Sequence, residues 1–214
     1  MLHGIFKKIP ILIKPFVGLF IQLPTNTMEI NQEQEIILLN KFRDIKTRES
    51  AFAEILQLFQ KRVYWHIRRI VISHDDTDDV LQNTFIKVWE KLADFRGDSR
   101  LYTWLFRVAT NESLLFLQRK KTNLNISMEE VQEQLCETLK SGSYFNGNRT
   151  ELILQEAILQ LPEKQRLVFN MKYYEELKYE EMEEILGTSV GALKASYHHA
   201  IKKIEEFVKL KLND

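Results

Sequence analysis

Between Phe52 and Val71 the residues Phe52, Ile55, Leu56, Phe59, Val63, Ile67, Ile70 and Val71 are separated by 3, 1, 3, 4, 4, 3 and 1 positions. That spacing keeps them on one side of a 3.6-residue period and predicts an amphipathic helix of about six turns. Such a stripe is unstable in water unless other elements cover it. The rest of the chain offers helices for that purpose. Glycine occurs 7 times and proline 4 times in 214 residues, while Leu, Glu, Lys and Gln abound, so helix formers fill the space between few tight turns. The fold class expected is all-α.

The single Cys136 excludes an intramolecular disulfide and a cysteine zinc cluster, which suits a reducing compartment and a cytoplasmic location. The 30 basic and 30 acidic side chains balance, so net charge does not mark a nucleic-acid binder. Local charge does. Arg96, Arg100, Arg107, Arg119, Lys120 and Lys121 face only Asp98 and Glu112 across one segment, and Lys194, Lys202, Lys203, Lys209 and Lys211 outnumber Glu205 and Glu206 in another. Two basic patches on either side of a non-basic connector suit one polyanion held at two places.

Residues 1–27 are apolar with three lysines and no acids. Pro10, Lys14 and Pro15 interrupt the run before it reaches the length of a membrane span. They are expected to be an N-terminal extension that the fold does not need. From Asn31 the positions Ile36, Ile37, Leu39 and Phe42, with Asn40 among them, give a looser helical face than that of Phe52–Val71. His66, beside Arg68 and Arg69, is expected at the surface.

The stretch HDDTDDVLQNTFIKVWEKLADFRG sets four aspartates beside His74. Asp76, Thr77, Asp78 and Asp79 suit a helix start, where carboxylates accept from free N–H groups and offset the positive end of the dipole. An EF-hand loop would need a Gly and a terminal Glu that this segment lacks, so no metal is expected. Beyond the start, Val80, Leu81, Thr84, Phe85, Val88, Trp89 and Leu92 form a buried stripe. Asp79, Gln82, Asn83, Ile86 and Glu90 form a second stripe that is polar except for Ile86; periodicity alone favours a solvated face there over a docking face.

A further helix is expected over about 99–119. Leu101, Trp104, Leu105, Val108 and Glu112 share one side of it, and Tyr102 and Phe106 lie one turn apart on another, with Arg100, Arg107 and Asn111 nearby. Aromatic rings among arginines can stack on unpaired bases and hold a backbone, although burial is the commoner fate of Phe. Residues 122–150, with Gly142 and Gly147, read as a linker with one short helix around 128–139.

The last third has the grammar of a helix-turn-helix. A helix over 151–160 stops before Leu161-Pro162, and the next begins at Pro162. A short helix carrying Tyr179, Met182, Ile185 and Leu186 ends at Gly187, a natural left-handed cap, and Thr188-Ser189 then caps a longer helix that buries Leu193, Tyr197, Ile201, Ile204 and Val208. Its exposed positions are expected to be Gly191, Ala192, Lys194, Ala195 and His198, with Lys202 beyond. The organisation expected is residues 1–27 as extension, 28–121 as a first helical domain, 122–150 as a flexible linker and 151–214 as the helix-turn-helix domain.

These motifs resemble the extracytoplasmic-function group of bacterial RNA polymerase sigma factors. DDTDDVLQNTFIKVW resembles the region 2 segment that docks on polymerase, FRGDSRLYTWLFRVATN resembles the promoter-melting segment, and LPEKQRLVF with LGTSVGALKASYHHAIKKIEEF resembles region 4. The resemblance implies a noncatalytic initiation factor. Its partners would be core RNA polymerase, promoter DNA and a membrane-bound anti-sigma factor, and it needs no cofactor and no small-molecule substrate. Asp79, Gln82, Asn83 and Ile86 then become polymerase contacts. Arg96, Arg100, Tyr102, Phe106, Arg107 and Asn111 become contacts to the melted strand. Ser189, Gly191, Ala192, Lys194, Ala195, His198 and Lys202 face the upstream duplex. Glu183 stands where the family usually has a small residue at the helix-turn-helix corner. A stand-alone DNA-binding regulator, and a metal-dependent nuclease using Asp75–Asp79, are the other functions that such motifs could serve.

Overall fold

The computed structural model describes residues 30–124 and 149–213, together with Glu130, Glu133, Gln134 and Glu137 between them. The expected extension and most of the expected 128–139 helix lie outside the described residues. The elements are α1 (Gln32–Arg43), α2 (Arg48–Val71), α3 (His74–Lys91), a 3₁₀ turn at Leu92–Asp94, α4 (Leu101–Leu124), α5 (Arg149–Leu159), α6 (Glu163–Tyr173), α7 (Tyr179–Leu186) and α8 (Val190–Asn213). Among the described residues there is no strand, as the scarcity of turn residues predicts.

Capping explains where several helices start. Asn31 and Gln34 form a reciprocal capping box on α1, with Asn31 Oδ1 accepting from the Gln34 amide at 2.8 Å and Gln34 Oε1 from the Asn31 amide at 2.9 Å. The buried face of α1 is Glu35, Leu38, Leu39 and Phe42, whereas Ile36 and Ile37 are about half exposed, 53% and 51%. This corrects the face expected from Ile36 and Ile37: positions 35, 38, 39 and 42 keep the helical period, and their burial reflects a charged residue that the period cannot reveal. Glu35 reaches α4, where its carboxylate accepts from Arg100 Nε at 2.9 Å and from the Leu101 amide at 3.3 Å. A buried carboxylate is tolerable there because it satisfies a free N–H at a positive helix end and pairs with a guanidinium.

The α3 cap also differs from expectation. Ser73, not the Asp76 cluster, is the N-cap, and its Oγ accepts from the Asp76 amide at 3.4 Å, so Asp75 and Asp76 fall in the first turn. Just before it, Ile72 closes α2 with φ 65°, unusual for a β-branched residue, and the Ser73 amide bonds back to Val71 O at 2.8 Å. Burial of the Ile72 side chain offsets that strain.

The long helix α2 lies at the centre of the first half, packed on α1, α3 and α4. In the second half α8 packs against α5, α6 and α7. The chain turns from α7 into α8 at Gly187, whose φ of 62° is left-handed and favours glycine. Ala157, Ile158, Leu161, Phe169, Ala200 and Ile204 form a local core within this half.

The halves are docked. Leu167, Val168, Met171, Leu177, Met182, Ile185 and Leu193 of the second half join the same buried cluster as Phe59, Val63, Leu105 and Phe106 of the first. Packing of α4 on α7 and of α2 on α6 makes this junction.

Candidate functional site

Three surfaces carry the residues singled out by sequence. On α3, Asp79, Gln82, Asn83 and Ile86 are all exposed, with Ile86 at 50%. Trp89, placed by periodicity in the buried stripe, is instead 37% exposed at the margin of that row, where its ring meets those of Phe42 and Phe52 edge-on at 5.5 and 5.0 Å. The neighbouring acids disperse: Asp76 pairs with Lys120 at 2.9 Å and Asp78 with His74 at 3.2 Å. Among the described residues no group of three or more His, Cys, Asp or Glu is placed to hold a metal ion.

The second surface lies on α4. Arg96, Arg107 and Asn111 are exposed and Tyr102 is half-buried. Phe106, expected to hold an unpaired base, is instead fully buried, against the His66 ring at 4.7 Å and the Tyr102 ring at 6.4 Å. One turn of helix from Tyr102 places it beneath that ring, inside the contact of α4 with α2. Arg100 is tied by Glu35 and by Ile30 O, to which Nη2 donates at 2.6 Å.

His66, expected at the surface, is 2% exposed and hydrogen-bonded to Thr110 Oγ1 at 2.8 Å. Burial, and secondarily the charge of Arg69, lowers its pKa from 6.5 to about 3. Arg62, His66 and Arg69 are spaced by 4 and 3, so one face of α2 presents all three to α4 and to the second half. That spacing is the signal that could have revealed them. Arg62 lies 5.8 Å from both the Tyr102 and the Phe106 ring centroids.

Sequence reasoning also missed what covers Tyr102. Its hydroxyl donates to Glu181 Oε1, and burial followed by that carboxylate raises its pKa to about 12. Arg107 Nε donates to the Glu184 carbonyl at 2.9 Å. Arg69 pairs with Glu175, whose burial pushes its carboxyl upward against the opposing charges of Arg69 and Arg62. The run YEEMEEIL, four acids in eight residues, was the available signal.

The third surface is α8. Ser189, Gly191, Ala192, Lys194, Ala195, His198 and Lys202 are exposed, while Leu193 is buried beneath them. Ser189 also caps the helix, its Oγ accepting from the Ala192 amide at 3.4 Å. Glu183, at the corner, points to solvent.

The Sigma-70 region 2 family matches residues 55–122 and the Sigma-70, region 4 family matches residues 151–204. The ECF RNA polymerase sigma-E factor of Salmonella typhimurium is 31% identical over 173 residues, 76% of this chain and 89% of that protein. The chain belongs to the extracytoplasmic-function sigma factors. ECF RNA polymerase sigma factor SigW of Bacillus subtilis is 27% identical over 77% of this chain and 92% of its own length. The fold is shared with the sigma factor RpoE of Bartonella quintana, solved with the anti-sigma factor NepR, at a TM-score of 0.58 and 20% identity, covering 74% of this chain and 96% of that one. This sigma factor therefore directs transcription initiation at specific promoters. The α1–α4 unit holds its region 2 and the α5–α8 unit its region 4. Among the described residues no helix is long and apolar enough to cross a membrane.

Proposed function

We propose that this sigma factor divides its work among three faces and carries out no chemistry of its own. The α3 row Asp79, Gln82, Asn83 and Ile86 docks on core RNA polymerase. The α4 face, with Tyr102, Arg107, Asn111 and the loop arginines Arg96 and Arg100, holds the opened promoter strand, and Phe106 supports the Tyr102 ring from below. The open face of α8, led by Lys194 and His198, reads the upstream duplex, since a recognition helix presents its N-terminal residues to the major groove. Residues 122–150 connect the two units, and the protein works in the cytoplasm beside the polymerase. An anti-sigma factor is the expected regulatory partner, supported by solved relatives that carry such partners.

One observation carries this reading: the polar row on α3 leaves Ile86 half exposed beside a partly exposed Trp89, while the opposite side of the same helix is sealed by Val80, Thr84 and Val88. An apolar centre with a polar rim is the composition of an interface. Run-off transcription from a genomic promoter library with core polymerase, this chain, or both tests it. Transcripts that need both components are the expected result. DNA binding at a palindrome without polymerase, with no transcripts in the complete reaction, would favour a stand-alone regulator.

A further inference from the structure

Two residues of the strand-binding face, Tyr102 and Arg107, are already engaged in this structure by the chain's own second half. Glu181 accepts from the Tyr102 hydroxyl, the Glu184 carbonyl accepts from Arg107 Nε at 2.9 Å, and Glu175 pairs with Arg69. Arg69 in turn lies 4.5 Å from the Tyr174 ring centroid, and Asn170 Nδ2 donates to the Arg69 carbonyl at 3.3 Å. Every partner comes from α6, α7 or the turn between them. Carboxylate and carbonyl oxygens stand where phosphate oxygens would be needed, against a tyrosine flanked by Arg62 and Arg100 at 5.8 and 5.9 Å. The match in charge is the one that a nucleic-acid backbone would make.

We propose that the acidic helix α7 is an intramolecular stand-in for the promoter strand, so that region 2 accepts opened DNA only after region 4 undocks. The inference rests on Tyr102 and Arg107 being strand contacts. It also implies an order of events. The α3 row and the α8 face are exposed while the junction is closed, so polymerase docking and duplex reading need not wait for undocking, whereas strand capture must. Closure lowers the apparent affinity for single-stranded DNA by the fraction of molecules that are open.

The test uses the full chain with Cys136→Ser and spin labels at Lys61→Cys and Lys203→Cys, one on each half. Pulsed EPR reports the interdomain distance, and anisotropy of a fluorescein-labelled random-sequence single-stranded oligonucleotide reports strand binding. Glu175→Gln with Glu181→Ala removes two junction acids, one from the turn before α7 and one from α7; Glu180→Gln with Glu183→Ala removes two exposed acids of α7 and controls for net charge. The junction variant is expected to lengthen the distance and tighten strand binding about tenfold, a gain that added Tyr102→Ala reverses. The control is expected to keep the wild-type distance and show at most a small gain. Tyr102→Phe keeps the ring but removes the hydroxyl held by Glu181, and should also open and tighten should the double variant fold poorly. A junction variant that stays closed, or that opens without tighter strand binding, overturns the proposal. Tyr102→Ala in the polymerase holoenzyme separates the two ideas: weakened strand binding there with no gain on opening condemns α7 as the cover and spares the strand face, whereas no effect condemns the strand face itself.

Discussion

The two DNA-facing helices of this sigma factor are left in opposite conditions by the same fold. On α8 the side chains proposed to read duplex DNA stand in solvent, and the helix is held from below by Leu193, Ala200 and Ile204. On α4 the proposed strand face is partly covered, with Tyr102 half-buried and bonded to Glu181 and Arg107 donating to the Glu184 carbonyl. The difference lies in what each helix must do besides meet DNA. α8 packs chiefly within its own half and adds Leu193 to the shared core, whereas α4 packs on α2, α3 and α7 and forms part of the junction. A helix that serves as both core and contact surface exposes less of itself, and its aromatic residues divide between the two tasks.

Phe106 gives the largest test of that division. As a fully buried ring it should cost about 3–5 kcal/mol of stability when changed to Ala, read as a lower urea midpoint. Were it a surface stacking residue, Phe106→Ala would melt as the wild type does. His66 sharpens the same point from below. Its folded pKa of about 3 lies under the ordinary 6.5, so between those values the unfolded chain binds more protons and stability rises with pH. Stability should fall by about 2 kcal/mol from about pH 7 to about pH 5, and His66→Gln should flatten that dependence in urea titrations at the two pH values. Unchanged slopes in the variant would mean that His66 is not the group responsible. The smallest stability effect belongs to α3, an open surface like that of α8: Gln82→Ala with Ile86→Ala should shift stability by less than about 0.5 kcal/mol while weakening binding to core polymerase, measured by melting temperature and by surface-immobilised polymerase. Wild-type affinity would remove that face from the account.

Local signals were legible and distant pairings were not. The α2 stripe, the left-handed Gly187 and the helix-turn-helix it creates could be read because each depends on neighbours within about one or two turns. Glu35 could not be read as a buried cap for α4, since its partner amide at Leu101 is 66 positions away. His66 looked like a surface residue because its flanking arginines are polar, yet Arg62, His66 and Arg69 all turn toward other helices. Periodicity tells which side of a helix is covered; it does not say by what. For that reason Tyr102 and Phe106, one turn apart in sequence, read alike, although one lies at the junction and the other beneath it. The α8 face was legible because, among the described residues, nothing distant covers it.

The division of labour between α4 and α8 is tested most directly by measuring holoenzyme affinity for two isolated templates, an upstream-element duplex and a downstream non-template single strand, with Tyr102→Ala and Lys194→Ala. Tyr102→Ala should lose about 1–3 kcal/mol on the single strand and nothing on the duplex. Lys194→Ala should weaken duplex binding, lower its salt slope by about 1 if it meets a phosphate, and leave the single strand untouched. Equal losses for both variants on both templates would contradict the account.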